Sequence, residues 1–297
     1  MPRARRPGKS LRREYLAKSN GKRVVFWARG PILGGRINTK VAMALDLVTI
    51  QCLTDNYAYL LHDAASGDTA LVDAPEAGPI LDALAARGWR LGQIFITHHH
   101  SDHIDGVADI VAATGARVLG ASADAHRLPA LDRALAEGDS VTVGAETGLV
   151  LDVSGHTLGH IAFHFAESGL AFTADSLMAG GCGRLFEGAP EVMWASLAKL
   201  TALPGETLIC SGHEYTASNL RFAATIEPEN LALIARIARV AKARAEGRAT
   251  VPSRLAGEMA TNPFLRAHLP QVKAAVAMQQ APDVAVFAEL RARKNRF

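Results

Sequence analysis

The chain has 297 residues, 49% of them hydrophobic and 21% charged, a profile that excludes a disordered or fibrous protein and allows one large or two modest domains. No apolar run approaches the length of a membrane span. Three cysteines without a C-x-x-C pair argue against a disulfide framework or a thiolate metal site and point to a reducing, cytoplasmic compartment.

The net charge of +3 hides two segments of opposite sign. Of the 32 Lys and Arg, twelve fall in residues 1–42 beside one acid, Glu14, so residues 43–297 set 20 basic against 28 acidic side chains. Residues 1–42 carry no sustained periodicity and read as a disordered basic extension, or as a stretch preceding a start at Met43. A basic arm for nucleic acid or an anionic membrane and an Arg-rich organellar presequence are the alternatives. The acidic body argues against a surface that tracks phosphates, so neither nucleic acid nor membrane is expected as a partner.

Regular signals begin at Leu45. Leu47–Leu53 and Tyr57–His62 read as strands joined by a turn at Thr54-Asp55-Asn56, and Ala70–Val72 as a third strand that ends in Asp73. Ala77–Arg87 has helical spacing with Gly88 as its C-terminal cap. The apolar run Leu91–Ile96 predicts a buried strand, followed by Thr97-His98-His99-His100-Ser101-Asp102-His103 and a helix to about Ala113.

That histidine cluster is costly to bury unless metal compensates its polar groups. In extended chain, His98 and His100 share one side and His99 takes the other. The pairs His98/His100 and Asp102/His103 suggest two metals. A solvated loop or tag is the bland alternative, but this run lies between a strand and an amphipathic helix.

Gly120 to Gly138 reads as a connection, followed by strands at Ser140–Val143 and Leu149–Val153. His156 follows within a glycine-flanked turn, where the backbone can bring an imidazole close to a metal. The strand Leu170–Thr173 ends near Asp175. A helix over Glu191–Leu200 leads to the strand Thr207–Cys210, which ends near His213. Beyond His213 the patterns are helical (Ala217–Ile226, Asn230–Ala245, Val284–Lys294), without strands. The expected division is thus 1–42, a metal-binding α/β domain over 43–213, and a helical domain over 214–297.

The set Thr97–His103, Gly155-His156-Thr157, Asp175 and Gly212-His213 resembles the metallo-β-lactamase superfamily. Within it, Gly181–Gly188, Gly212–Thr216, Thr261–Arg266 and the ending Arg291–Lys294 are similar to the glyoxalase II (hydroxyacylglutathione hydrolase) family, over roughly residues 45–297. The resemblance implies a four-layer αββα sandwich followed by a helical C-terminal domain. His98, His100 and His156 would hold one divalent ion, Asp102, His103 and His213 a second, and Asp175 would bridge them. Zinc is the first choice, and iron or manganese are permitted because no thiolate takes part.

The implied reaction is hydrolysis of an S-(2-hydroxyacyl)glutathione, such as S-lactoylglutathione, to glutathione and a 2-hydroxy acid, the second step of methylglyoxal detoxification. Its nucleophile would be a hydroxide bridging the metals, with no separate protein nucleophile. Arg184, Phe186, Tyr215, Arg291 and Lys294 would bind the substrate, and the chain would act as a monomer. Phe186 stands where the family often has an aromatic hydroxyl, which removes one hydrogen bond to the substrate. His160 reads as a hydrogen-bonding neighbour of the ligands. The rival of another class is a glutathione persulfide dioxygenase with a single iron. A nucleic-acid phosphodiesterase of the same superfamily has only the basic N-terminus in its favour.

Overall fold

The computed structural model describes Tyr15–Ser19, Lys22–Phe26 and residues 45–297. Within the basic extension, β1 (Tyr15–Ser19) and β2 (Lys22–Phe26) form an antiparallel hairpin. The expectations of disorder and of a start at Met43 otherwise fall outside the described residues.

The first sheet of the main body begins with the hairpin β3 (Asp46–Cys52) and β4 (Asn56–His62), followed by β5 (Thr69–Val72). Helix α1 (Ala77–Arg87), ended by Gly88 in the left-handed conformation, leads to β6 (Gln93–Phe95). The short α2 (Ser101–Ile104) and α3 (Val107–Thr114) precede β7 (Arg117–Ala121) and β8 (Arg133–Leu135). Pairing follows chain order, antiparallel from β3 to β5 and parallel from β5 to β8.

The second sheet holds β9 (Ser140–Val143), β10 (Glu146–Asp152), β11 (Ile161–Phe165) and β12 (Leu170–Ala174) as an antiparallel run. A small hairpin, β13 (Leu177–Met178) and β14 (Gly181–Cys182), and α4 (Pro190–Thr201) come before β15 (Leu208–Ser211), which lies parallel to β12. The chain closes with α5 (Thr216–Ile226), α6 (Leu231–Ala245), β16 (Ser253–Arg254), α7 (Leu255–Thr261), α8 (Pro270–Ala275) and α9 (Asp283–Arg296).

Period-two alternation builds the layers. In β4, Tyr57, Tyr59 and Leu61 point between the sheets and meet Phe95, Phe163 and Phe172. Ala58 and Leu60 point the other way, toward Ile80, Leu84 and Ile110 of α1 and α3. In the second sheet, Leu170 and Phe172 face inward, while Ala171 and Ile209 face Met193 and Leu197 of α4 and Phe287 and Leu290 of α9. The result is helix, sheet, sheet, helix, the expected αββα sandwich.

Two expectations need correction. The stretch Gly120–Gly138, read as a connection, contains the end of β7 and all of β8, and the start of β7 and the whole of β11 went unmarked. Ile161–Phe165 is buried on both faces apart from His164, so it lacks the polar alternation that marks a half-exposed strand. The C-terminal part is also not free of strands. Ser253–Arg254 pair with Ile209 and Leu208 of β15, so this segment completes the second sheet.

Candidate metal centre

Four strands deliver the site at one edge of the sandwich. Asp73 follows β5, Thr97–His100 follow β6, Asp175 follows β12, and His213 follows β15. His156 comes from the turn between β10 and β11. Two of the strand exits are strained. Asp73 has φ +56° and Ala174 has φ +38°, and such backbone in a residue other than glycine costs about 1–3 kcal/mol and tends to mark functional sites. Gly212 lies so close to Asp175 and His103 that a Cβ would come within 2.6 Å of Asp175 Oδ1 and 2.7 Å of His103 Cε1.

Three imidazole nitrogens converge in one half of the site. His100 Nδ1 lies 3.1 Å from His98 Nε2 and 3.0 Å from His156 Nε2. His98 and His156 spend their N–H on the other ring nitrogen, His98 Nδ1 at 3.0 Å from Thr97 Oγ1 and His156 Nδ1 at 2.8 Å from the Arg184 carbonyl, so lone pairs confront one another at the centre. A tetrahedral cation with bonds near 2.0 Å would separate its nitrogens by about 3.3 Å, close to what is seen. In the other half, His213 Nε2 lies 3.5 Å from Asp102 Oδ2, and Asp102, His103 and His213 can share one ion.

Asp175 stands between the halves. Its Oδ2 is 3.4 Å from His156 Nε2 and 3.3 Å from His213 Nε2, and its Oδ1 is 3.6 Å from His103 Nε2. His103 Nε2 and Asp175 Oδ1 are buried without a hydrogen-bond partner. Such atoms are rare in native interiors, and a cation satisfies both. A divalent metal fits this donor set of neutral imidazoles and carboxylates.

Four of the candidate ligands are aimed by a neighbour. His103 Nδ1 donates to Asp73 Oδ2 at 2.8 Å, His213 Nδ1 to Asp55 Oδ1 at 3.0 Å, and His156 Nδ1 to the carbonyl of Arg184 at 2.8 Å. Asn56 Nδ2 donates to Asp102 Oδ2 at 3.0 Å. Asp73 also accepts from the backbone N–H and the hydroxyl of Thr97. Partners of this kind fix tautomer and ring orientation. Their sequence signal was a polar residue at a strand exit (Asp73) or in a tight turn (Asp55, Asn56), which sequence alone leaves as turn chemistry.

The two halves differ electrostatically. Burial drives His98 well below its ordinary pKa, and burial likewise lowers His100 and His156, so all three present lone pairs. Burial acts in the same direction on His103 and His213. There the carboxylates win: Asp73 raises His103, and Asp175, Asp55 and Asp102 lift His213 to about 9.

His99 faces away from the centre, with Nδ1 3.1 Å from Asp124 Oδ2 and Nε2 3.5 Å from Glu187 Oε1. His160 stacks on His98 at 4.6 Å, and its Nε2 accepts from the Asp175 backbone N–H at 3.3 Å. His99→Ala is therefore expected to keep its metal, whereas His98→Ala loses it. Equal metal loss in the two purified variants, measured by elemental analysis, would contradict this placement.

A cleft of about 540 Å³ opens over the site, and Arg184, Phe186, Tyr215, Arg291 and Lys294 all line it. Tyr215 stacks on His213 at 4.6 Å, and burial pushes its hydroxyl up to about 12, so it remains a hydrogen-bond donor. Phe186 sits edge-on to His100 and His156, with ring centroids 5.7 and 5.3 Å away. Arg291 is not a rim cation: it is 5% exposed, and its Nη1 donates to the Cys182 carbonyl at 2.7 Å. Lys294 is half-buried, with Nζ 3.3 Å from the Ser218 carbonyl. Arg221, unremarked in the sequence, also lines the cleft.

The family model for the metallo-β-lactamase superfamily matches residues 54–213, and that for the hydroxyacylglutathione hydrolase C-terminus matches residues 214–297. The hydroxyacylglutathione hydrolase of Cereibacter sphaeroides is 68% identical over 255 residues, 86% of this chain and 100% of the relative. That of Methylococcus capsulatus is 53% identical over 253 residues, 85% of this chain and 99% of the relative. Among solved structures, ETHE1 from Myxococcus xanthus aligns with a TM-score of 0.56 at 24% identity, over 85% of this chain and 98% of that one, a likeness of fold alone. A di-iron-bound structure of TTHA1623 aligns with a TM-score of 0.50 at 29% identity, over 57% of this chain and 91% of its own. Among the described residues, no helix is long and apolar enough to cross a membrane.

Proposed function

The chain belongs to the hydroxyacylglutathione hydrolase family of the metallo-β-lactamase superfamily, and on that premise we propose that it hydrolyses S-(2-hydroxyacyl)glutathione thioesters such as S-lactoylglutathione, yielding glutathione and a 2-hydroxy acid. The observation that carries this reading is the Asp175 carboxylate, 3.4 Å from His156 and 3.3 Å from His213, beneath a cleft lined with cations. His98, His100 and His156 would hold one ion and Asp102, His103 and His213 the other, with Asp175 shared. Zinc suits the donors, and iron or manganese are compatible with them. When bound, the pair would supply Lewis acidity and bring a water's pKa near neutrality.

The protein's own groups do the rest. Asp175 and Asp102 would be the acidic ligands, so two dications would leave net positive charge where the thioester carbonyl must be polarised. The leaving thiolate has a conjugate-acid pKa of about 8.5 and needs no strong protein acid. His160 is no acid at neutral pH, because burial brings it down to about 3. Arg184 and Lys294 would meet the carboxylates of the glutathione moiety, Tyr215 would donate its O–H, and Arg291 would hold the backbone of β14 in place beneath them. We assign metal binding to residues 43–213 and much of the substrate contact to 214–297, and read the protein as a cytoplasmic monomer without a nucleic-acid partner.

Optical assay of thioester hydrolysis, run beside elemental analysis of the same preparation, tests the proposal. Turnover with two metals per chain is expected. A single iron with oxygen consumption on glutathione persulfide would instead identify the dioxygenase. The Gly212–Thr216 and Asn262–Arg266 segments and the terminal Arg-x-x-Lys speak against that outcome.

Through Lys294, substrate affinity is expected to depend on pH. Burial, together with Arg291, Arg221 and Arg184, lowers its pKa to about 8. The ammonium is present below that value and lost above it, so KM should rise as pH passes upward through about 8. Lys294→Arg should flatten the rise, because a guanidinium stays charged there. A wild-type KM constant between pH 7 and 9 would remove Lys294 from the binding site.

A further inference from the structure

The loop Gly183–Gly188 lies directly on the ligand histidine of the β10–β11 turn. The Arg184 carbonyl accepts from His156 Nδ1, the Phe186 N–H donates to the His156 carbonyl at 3.3 Å, and the Gly188 N–H donates to the Gly155 carbonyl at 3.1 Å. A Cβ on Gly183 would overlap the Asp175 carbonyl oxygen. The loop carries Phe186 into the cleft, yet that ring is 62% exposed. Burial cannot hold an exposed ring in one place, so its position must come from the backbone that bears it.

The next residue anchors that backbone. Glu187 Oε2 accepts from the Leu158 N–H at 2.8 Å and from Arg127 Nη2 at 3.1 Å, while Oε1 accepts from Arg127 Nη1 and lies 3.5 Å from His99 Nε2. Arg127 also binds Asp124, whose side chain is 2% exposed and whose Oδ2 meets His99 Nδ1. One carboxylate thus ties the Phe186 loop to three separate segments: the histidine run after β6, the stretch around Asp124 and Arg127, and the turn that carries His156. None of these four side chains lines the cleft. A pair fixed at both ends by a network is stiffer than a lone surface ion pair, which typically contributes little.

We propose that Glu187, held by Arg127 and Asp124, is a positioning residue that sets Phe186 as a wall of the thioester-binding cleft beside His100 and His156. This rests on the thioester-hydrolase reading above and adds to it a determinant remote from the substrate. Leu185, packed partly buried against the core beneath α4 and α9, keeps the loop attached when Glu187 is replaced, so the variants should fold.

The test is a kinetic cycle with S-lactoylglutathione on Glu187→Ala, Phe186→Ala and the double variant, with metal content and Tm measured on each. Glu187→Ala should raise KM about tenfold, equivalent to about 1.4 kcal/mol, with kcat within about threefold and full metal content. In the Phe186→Ala background the same change should add nothing, because its effect runs through that ring. Glu187→Gln still accepts from the Leu158 N–H but loses the ion pair, and should show an intermediate KM.

Multiplying effects in the double variant would overturn the proposal. So would an unchanged KM with only a lowered Tm, an unchanged KM in Phe186→Ala, or a wild-type KM in Glu187→Gln. Absence of thioesterase activity in the wild-type enzyme would refute the function reading and this proposal with it. The other adverse outcomes refute the proposal alone.

Discussion

Asp175→Ala is expected to lose bound metal from both halves of the centre and about 10³-fold or more of thioester hydrolysis. Among the described residues, no other carboxylate reaches both sets of histidines. Its Oδ2 lies 3.4 Å from His156 and 3.3 Å from His213, while Oδ1 points at His103. The neighbouring imidazoles, His213 first and then His103 and His156, hold the Asp175 carboxyl far below the usual carboxylate range against the opposing effect of its burial. Removing it leaves imidazoles facing one another with one carboxylate ligand, Asp102, for two dications. Metal content by elemental analysis and kcat on S-lactoylglutathione check the expectation. A variant that retained two metals and activity within tenfold would show that Asp175 only closes the turn after β12.

Much of this candidate centre was legible because the residues it gathers are consecutive or nearly so. His98, His100, Asp102 and His103 lie within six positions, and strand alternation alone separates His98 and His100 from His99. His99 does turn away, to Asp124 and Glu187. Asp175 and His213 were legible as acid and imidazole at the ends of apolar strands. The orienting residues were not. Asp55 and His213 are separated by 158 positions, and Asp73 and His103 by 30, and only the pairing of strands brings them together. The surroundings of Arg291, expected by resemblance among the substrate contacts, were equally hidden: α9 packs against α4 and carries the guanidinium under Cys182, 5.0 Å from the Phe264 ring. In the fold, β8 and β16 were missed because they are too short to show a period, and β7 and β11 because they are buried along nearly their whole length.

The second large effect is expected at Asp73, which touches no substrate and is not itself a ligand. Its Oδ1 accepts from the Thr97 N–H at 2.9 Å, and its Oδ2 from the Thr97 hydroxyl and His103 Nδ1, each at 2.8 Å. One carboxylate therefore fixes both the exit of β6 that presents His98 and the ring that presents Nε2 of His103. An amide cannot replace it, because its NH₂ group would face either the Thr97 N–H or the His103 N–H, donor against donor. Asn tolerates the left-handed backbone that this position requires at φ +56°, so Asp73→Asn changes the side chain without adding strain. The His103 half of the centre should lose about 10–100-fold in metal affinity, the range typical of lost orienting partners. The His98, His100 and His156 half should be affected less, through Thr97 alone. Stability should also fall by about 1–3 kcal/mol, the cost of a buried donor left unpaired. Chelator competition that resolves the two binding steps, with a denaturant titration of the same variant, measures both effects. Equal weakening of the two steps would mean that Asp73 acts through the β6 exit and not through His103, and dissociation constants within twofold of wild type would mean that the ring is held by the packing around it.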